Sequence, residues 1–155
     1  MRNIKFRGYN ADSKVWRYGS YFYKEDRTLS PAYNSEVKWE QDMKANGHHL
    51  ILWNGSSDWN LPKPHYQSEV DEDSIGQFTG LYDKNGTEIY EGDIVEAWSE
   101  GVKAIGEVKR RTDGLFIIYP TYQCGEFWGL CPDVHGHTTV EVIGNVYENP
   151  ELLGE

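Results

Sequence analysis

Two glycine-centred turns sit close together between short apolar runs, and no other feature of the chain restricts its fold as strongly. Gln77-Phe78-Thr79-Gly80-Leu81-Tyr82-Asp83 leads into Lys84-Asn85-Gly86-Thr87, then into Glu88-Ile89-Tyr90. Glu91-Gly92-Asp93 turns the chain again before Ile94-Val95-Glu96-Ala97-Trp98. An Asn-Gly pair between such runs is the strongest short-range hairpin signal, because both central positions of a tight two-residue turn need positive φ. Asn85, Gly86, Gly92 and Asp93 are therefore read as structural turn residues, and the segment as consecutive antiparallel strands.

The same pattern continues. Val102–Arg110, 115–119 and 139–147 are strand-like and are separated by Thr112-Asp113-Gly114 and by a Gly- and Pro-containing stretch. Several short strands at close spacing predict a small closed barrel, which removes exposed edges. Pro150 stops the last strand and predicts a short helical turn over the tail. At the amino terminus Ile4-Lys5-Phe6-Arg7-Gly8-Tyr9 and Val15-Trp16-Arg17-Tyr18-Gly19-Ser20-Tyr21-Phe22-Tyr23 alternate around the turn-rich 10–14. That alternation predicts a hairpin with Ile4 and Phe6 toward the core and Lys5 and Arg7 toward solvent.

The middle is less patterned. Residues 24–48 allow a short helix ending near Asn46-Gly47, 49–53 form one apolar strand, and 56–73 hold two prolines and end in Asp71-Glu72-Asp73. This divides the chain into 1–73, a β-hairpin plus a short helical or irregular insertion, and 74–155, the barrel. Aromatic residues make up 14% of the chain, with 11 Tyr and 6 Trp, and such rings pack well on half-buried sheet faces. The fold class is thus mainly β.

The net charge is −10, from 25 acidic and 15 basic residues, so the overall field disfavours polyanions and anionic membranes. Residues 1–27 run against that trend, with seven Lys and Arg against three acids. Arg7, Lys14, Trp16 and Arg17 are the candidate contacts if the hairpin binds a nucleic acid, since bases stack on aromatic rings and phosphates meet cations. The competing reading is a two-faced hairpin with solvated charges. No stretch approaches the roughly 18 apolar residues of a membrane span, and no export signal is read, which predicts a cytoplasmic protein.

Cys124, Cys131, His135 and His137 are all residue types that bind zinc, but their spacing does not match the closely paired ligands of structural sites. No metal ligand, cofactor site or catalytic residue is assigned. Glu88, Glu91 and Asp93 are close enough in sequence to suggest paired carboxylates, yet an acid after a turn glycine is better used to bond its own turn backbone.

The run from Phe78 to Val95 closely resembles the central signature of the YopX family of phage and prophage proteins. Val142-Ile143-Gly144-Asn145-Val146-Tyr147-Glu148-Asn149-Pro150-Glu151-Leu152-Leu153 is similar to the family's tail, and Ile4-Lys5-Phe6-Arg7-Gly8-Tyr9 to its usual start, with Gly8 in place of an expected Ala. The resemblance implies an SH3-like barrel in the carboxy-terminal half, self-association, and action inside a bacterial host. It supplies no catalytic residue. The expected function is therefore non-enzymatic, through binding a host or phage protein or a second copy of the chain, with nucleic-acid binding by the basic hairpin as the alternative.

Overall fold

The computed structural model describes residues 4–25, 47–55, 65–99, 101–120 and 127–154. Among them eleven strands form two antiparallel sheets, with two short 3-10 helices at Glu72–Ser74 and Pro150–Leu153. The protein is mainly β. The helix considered for 24–48 falls on residues that lie largely outside the described ones.

The first sheet has the order β4-β3-β2-β1-β5-β6. Its strands are β1 (Phe6–Asn10), β2 (Val15–Glu25), β3 (Gly47–Asn54), β4 (His65–Glu69), β5 (Gly76–Tyr82) and β6 (Glu88–Tyr90). β1 and β2 form the hairpin that their alternation predicts, in the register Arg7↔Tyr18 and Tyr9↔Trp16. Gly19 on β2 is where β3 approaches: a Cβ there would lie 2.0 Å from the Leu52 carbonyl oxygen. β1 also pairs with β5, so this sheet runs across residue 73 and joins the amino-terminal hairpin to the signature segment. Strand β4 occupies part of the stretch expected to be irregular. It is an edge strand paired only with β3, and the prolines just before it hide it in the sequence, since proline is tolerated at strand starts and edges.

The second sheet has the order β10-β9-β8-β7-β11. Its strands are β7 (Asp93–Ser99), β8 (Val102–Arg110), β9 (Phe116–Tyr119), β10 (Trp128–Gly129) and β11 (Glu141–Asn145). Ile89 of β6 packs with Val95, Ala97, Val108, Phe116, Ile118, Leu130 and Val140 in one buried cluster, so one face of this sheet holds the principal core. Both sheets are open: among the described residues no strand pair joins the two edges of either.

The loop between β5 and β6 departs from the two-residue turn expected of Asn85-Gly86. Gly86 has φ +84°, whereas Asn85 is not in the positive-φ region. The reason is Asp83, a buried carboxylate that organises a longer loop. Its Oδ1 accepts from the backbone N–H of Asn85 and of Thr87, both at 2.8 Å, and its Oδ2 accepts from Val142 N–H of β11 at 3.2 Å. Burial raises the pKa of Asp83, but these three bonds outweigh it and the net shift is downward.

Candidate functional site

Of the hairpin cations expected on a solvated face, Lys14 and Lys24 are exposed, Lys5 and Arg17 are half-buried, and Arg7 is buried. Phe6 is half-buried against Tyr21, but Arg7 is 8% exposed and Ile4, just before β1, 64% exposed, the reverse of what alternation predicts for these two. The cause is a partner far along the chain. Arg7 Nη1 lies 2.5 Å from Oδ1 of Asp93, which is 1% exposed, and Nη2 donates to the Glu91 carbonyl at 3.3 Å. The guanidinium is flanked by Trp16 at 4.9 Å and Tyr90 at 5.1 Å from the ring centroids. A buried carboxylate demands such a cation, because burial alone strongly disfavours its charge. Burial pushes the Asp93 carboxyl up and remains the dominant influence even though Arg7 and the Tyr90 N–H pull it down.

The neighbouring acids are engaged in the same way. Glu88 accepts from Lys5 Nζ and from the Tyr90 hydroxyl, both at 2.6 Å. Burial raises the Glu88 pKa, yet those two bonds bring it below the ordinary range. The Tyr90 hydroxyl moves far upward, through burial first and Glu88 second. Glu91 Oε2 accepts from Gln77 N–H at 3.1 Å, and Asp93 Oδ2 from Tyr90 N–H at 2.7 Å. Glu88, Glu91 and Asp93 thus bind turn backbone and the amino-terminal strand. They do not converge on an open point.

The other candidate nucleic-acid contacts are similarly distributed. Lys14 is exposed in the β1–β2 turn at φ 54°. Trp16 packs edge-on to Tyr9 and Tyr147, and its Nε1 donates to Glu148 at 2.9 Å. Arg17 lies over the Trp53 ring at 5.1 Å. Close by, the Tyr147 hydroxyl donates to Asp71, a bond that pushes its pKa up to about 12. The tail is therefore clasped to the hairpin, and Arg7, Trp16 and Arg17 are held within the protein.

Cys124 lies outside the described residues, and Cys131 is an exposed free thiol. His135 and His137 sit in a loop built by Asp133, whose Oδ1 accepts from their backbone N–H groups at 2.8 and 2.9 Å. Those bonds lower the Asp133 pKa, the His137 bond most. Among the described residues no three His, Cys, Asp or Glu gather as metal ligands would.

Two open grooves stand out among the described residues: one of about 460 Å³ beside the hairpin, lined by Ile4, Lys5, Gly19, Leu52, Trp53 and His65, and one of about 370 Å³ at the seam of the second sheet, where exposed aromatic rings gather. β10 is one edge of that sheet and β11, beside β7, the other. The seam groove is lined by Phe127, Trp128 and Gly129 at the β10 edge on one side, and on the other by Ala97 and Trp98 of β7 with Thr138 to Val140, which lead into β11. The sheet has therefore curled far enough to bring the β10 edge opposite the end of β7 and the approach to β11. Ile118, Ala97 and Val140 are buried core residues reaching its floor, while Trp98 at 59% and Phe127 at 49% stand exposed. β11 pairs with β7 only from Asp93 to Glu96. Beyond that point residues 97–99 have no partner strand on this side among the described residues. Trp98 is steadied by a bond from its Nε1 to Glu96 at 2.9 Å, and Glu96 in turn pairs with Lys103 at 2.5 Å. Sequence reasoning did not find this groove, because its walls come from four separate segments.

Among curated proteins none matches the chain. A solved structure, the crystal structure of protein EF1440 from Enterococcus faecalis, is similar at 24% identity, covering 99% of each chain with a TM-score of 0.43. The family model described as YopX protein matches residues 5–154. That match takes in the hairpin, both glycine turns and the clasped tail, and the chain belongs to the YopX family.

Proposed function

We propose that this protein is a non-enzymatic accessory product of a phage or prophage, acting in the host cytoplasm by binding another protein through the seam of its second sheet. The observation that carries the reading is the groove itself, where residues 97–99 of β7, paired with β8 on one side, have no partner strand on the groove side among the described residues, beside exposed Trp98 and Phe127. An unpaired strand edge recognises an extended peptide through main-chain hydrogen bonds, and flanking pockets select its side chains. Exposed aromatic residues supply the anchoring area that such interfaces concentrate in a few positions. We read the curled sheet, together with β5 and β6, as an SH3-like barrel whose seam is left for a partner. Self-association is the same reaction with a second copy as the donor of the strand.

The supporting chemistry is the contrast between the two regions. The carboxylates and cations of the signature are consumed in holding the sheets together, whereas Trp98 and Phe127 keep much of their ring surface exposed at the seam, Trp98 bonded to Glu96 and Phe127 beneath the Arg111 guanidinium. The test is a host-lysate pull-down and light scattering with the wild-type protein and a Trp98→Ala/Phe127→Ala double variant. Both substitutions remove exposed side chains, so the thermal midpoint should hold while capture or self-association is lost. Equal capture by the two proteins would reject the seam.

A further inference from the structure

We propose that Asn85 is a latent deamidation site which the Asp83 brace keeps closed in the folded protein. The chemistry is general to Asn-Gly pairs. The backbone nitrogen of the following glycine loses its proton and attacks the side-chain Cγ; the new C–N bond closes a five-membered succinimide, and the Cγ–Nδ2 bond breaks to release ammonia. Water then opens the ring, giving aspartate or the β-linked isoaspartate. Glycine favours the step because it has no side chain to hinder closure and leaves the backbone free to rotate. Asn85 and Gly86 are both exposed, so water and hydroxide reach them.

The fold opposes each requirement. The attacking nitrogen of Gly86 is engaged, its N–H donating to the Asp83 carbonyl at 3.0 Å. The N–H groups of Asn85 and Thr87, on either side, are held on one oxygen of the Asp83 carboxylate, which fixes the backbone that must rotate for ring closure. That carboxylate also disfavours the amide anion from which attack begins. Asp83 is itself 1% exposed and tied to β11 through Val142, so the brace is anchored in the body of the protein. The leaving amide of Asn85 donates to Glu141 at 3.4 Å.

The product would undo its own protection. Isoaspartate lengthens the main chain inside a loop whose spacing is set by one carboxylate, and either product adds a negative charge beside Asp83 and Glu141. Deamidation at this turn therefore loosens the β5–β6 junction irreversibly.

The experiment is peptide mapping by mass spectrometry of protein aged at pH 7.4 and 37 °C. It compares native wild type, wild type held in urea, and folded Asp83→Asn. Asn46-Gly47 and Asn54-Gly55 are reference pairs in the same digests. In urea Asn85 should react at the rate of the reference pairs. In the native protein it should react at about one tenth of that rate, the change that about 1.4 kcal/mol of hydrogen bonding gives. Asp83→Asn retains one oxygen but loses the charge and one bond, and should fall between. Equal rates in native and urea-treated protein would overturn the proposal, as would an Asp83→Asn rate identical to native. Slow reaction of Asn85 in urea would also overturn it, by locating the protection in the local sequence.

Discussion

Replacing Arg7 by Met should be among the most damaging single changes in this protein, although sequence alternation marks Arg7 as a surface residue. The substitution keeps most of the apolar stem but leaves Asp93 buried at 1% exposure with one remaining hydrogen bond, from Tyr90 N–H. Breaking one partner of a buried ion pair costs about 3–5 kcal/mol. Lost stacking against Trp16 and Tyr90 adds about 1 kcal/mol, and recovered packing of the Met side chain offsets part of it. A net loss of about 4 kcal/mol lowers the midpoint of a chain this size by about 8–16 °C. The pH dependence carries the diagnostic sign. Burial already raises the folded-state pKa of Asp93 above its ordinary value, and removing Arg7 raises it further. A carboxyl with a raised folded pKa contributes its full stability below the unfolded value, near 4, and loses it as pH rises through the folded pKa. The gap between wild type and Arg7→Met should thus narrow as pH falls from 7 toward 4. A double variant, Arg7→Met/Asp93→Leu, should recover most of the loss, because apolar replacement of a whole buried pair is often neutral or better. Urea denaturation at several pH values reads all three quantities. A loss below about 1 kcal/mol, or a gap independent of pH, would refute the buried-pair reasoning.

Asp83→Ala should cost about 3 kcal/mol, roughly 1 per backbone bond removed, as measured by chemical denaturation. Because the folded pKa of Asp83 is lowered, its contribution is present above the unfolded value and fades as pH falls through the folded one. The difference between wild type and Asp83→Asn should therefore shrink in acid. Gly19→Ala should disrupt β2–β3 pairing, since the added Cβ meets the Leu52 carbonyl at 2.0 Å, and a fall in thermal midpoint with loss of amide protection across β3 would report it. The isolated 74–155 fragment should fail to unfold cooperatively, because it lacks β1 and with it the Arg7 and Lys5 partners of Asp93 and Glu88; calorimetry of that fragment decides the point.

Strand positions were legible wherever a segment buries one face against its neighbours. Alternation located β1, β2 and β5, and Val102–Arg110 coincides with β8 residue for residue. β4 and β10 were hidden, the first behind prolines and the second by being two residues long. The direction of Arg7 could not be read from β1, because alternation assigns faces while the identity of the solvated face depends on what covers it. Here the covering elements carry Glu88, Glu91 and Asp93, so Arg7 faces inward. Asp93 was legible as a turn acid, and it does bond Tyr90 N–H, but its main partner is supplied by tertiary structure. Asp83 stood beside the Asn-Gly pair without being singled out. Its role converts a two-residue turn into a braced loop, and a carboxylate just before a turn is the signal that could have found it. The seam groove depends on how far a sheet curls, which no local pattern encodes.

Amide hydrogen exchange on the isolated complex tests most directly whether the proposed binding seam is separate from the residues that hold the fold. Exchange should be compared between the free protein and the complex recovered from host lysate, or the self-associated form if that is what light scattering finds. Protection should appear at residues 97–99 and around Phe127 to Gly129, with the β1–β2 hairpin unchanged. Protection confined to the hairpin around Lys14 and Arg17, with the seam exchanging as freely as before, would contradict that separation.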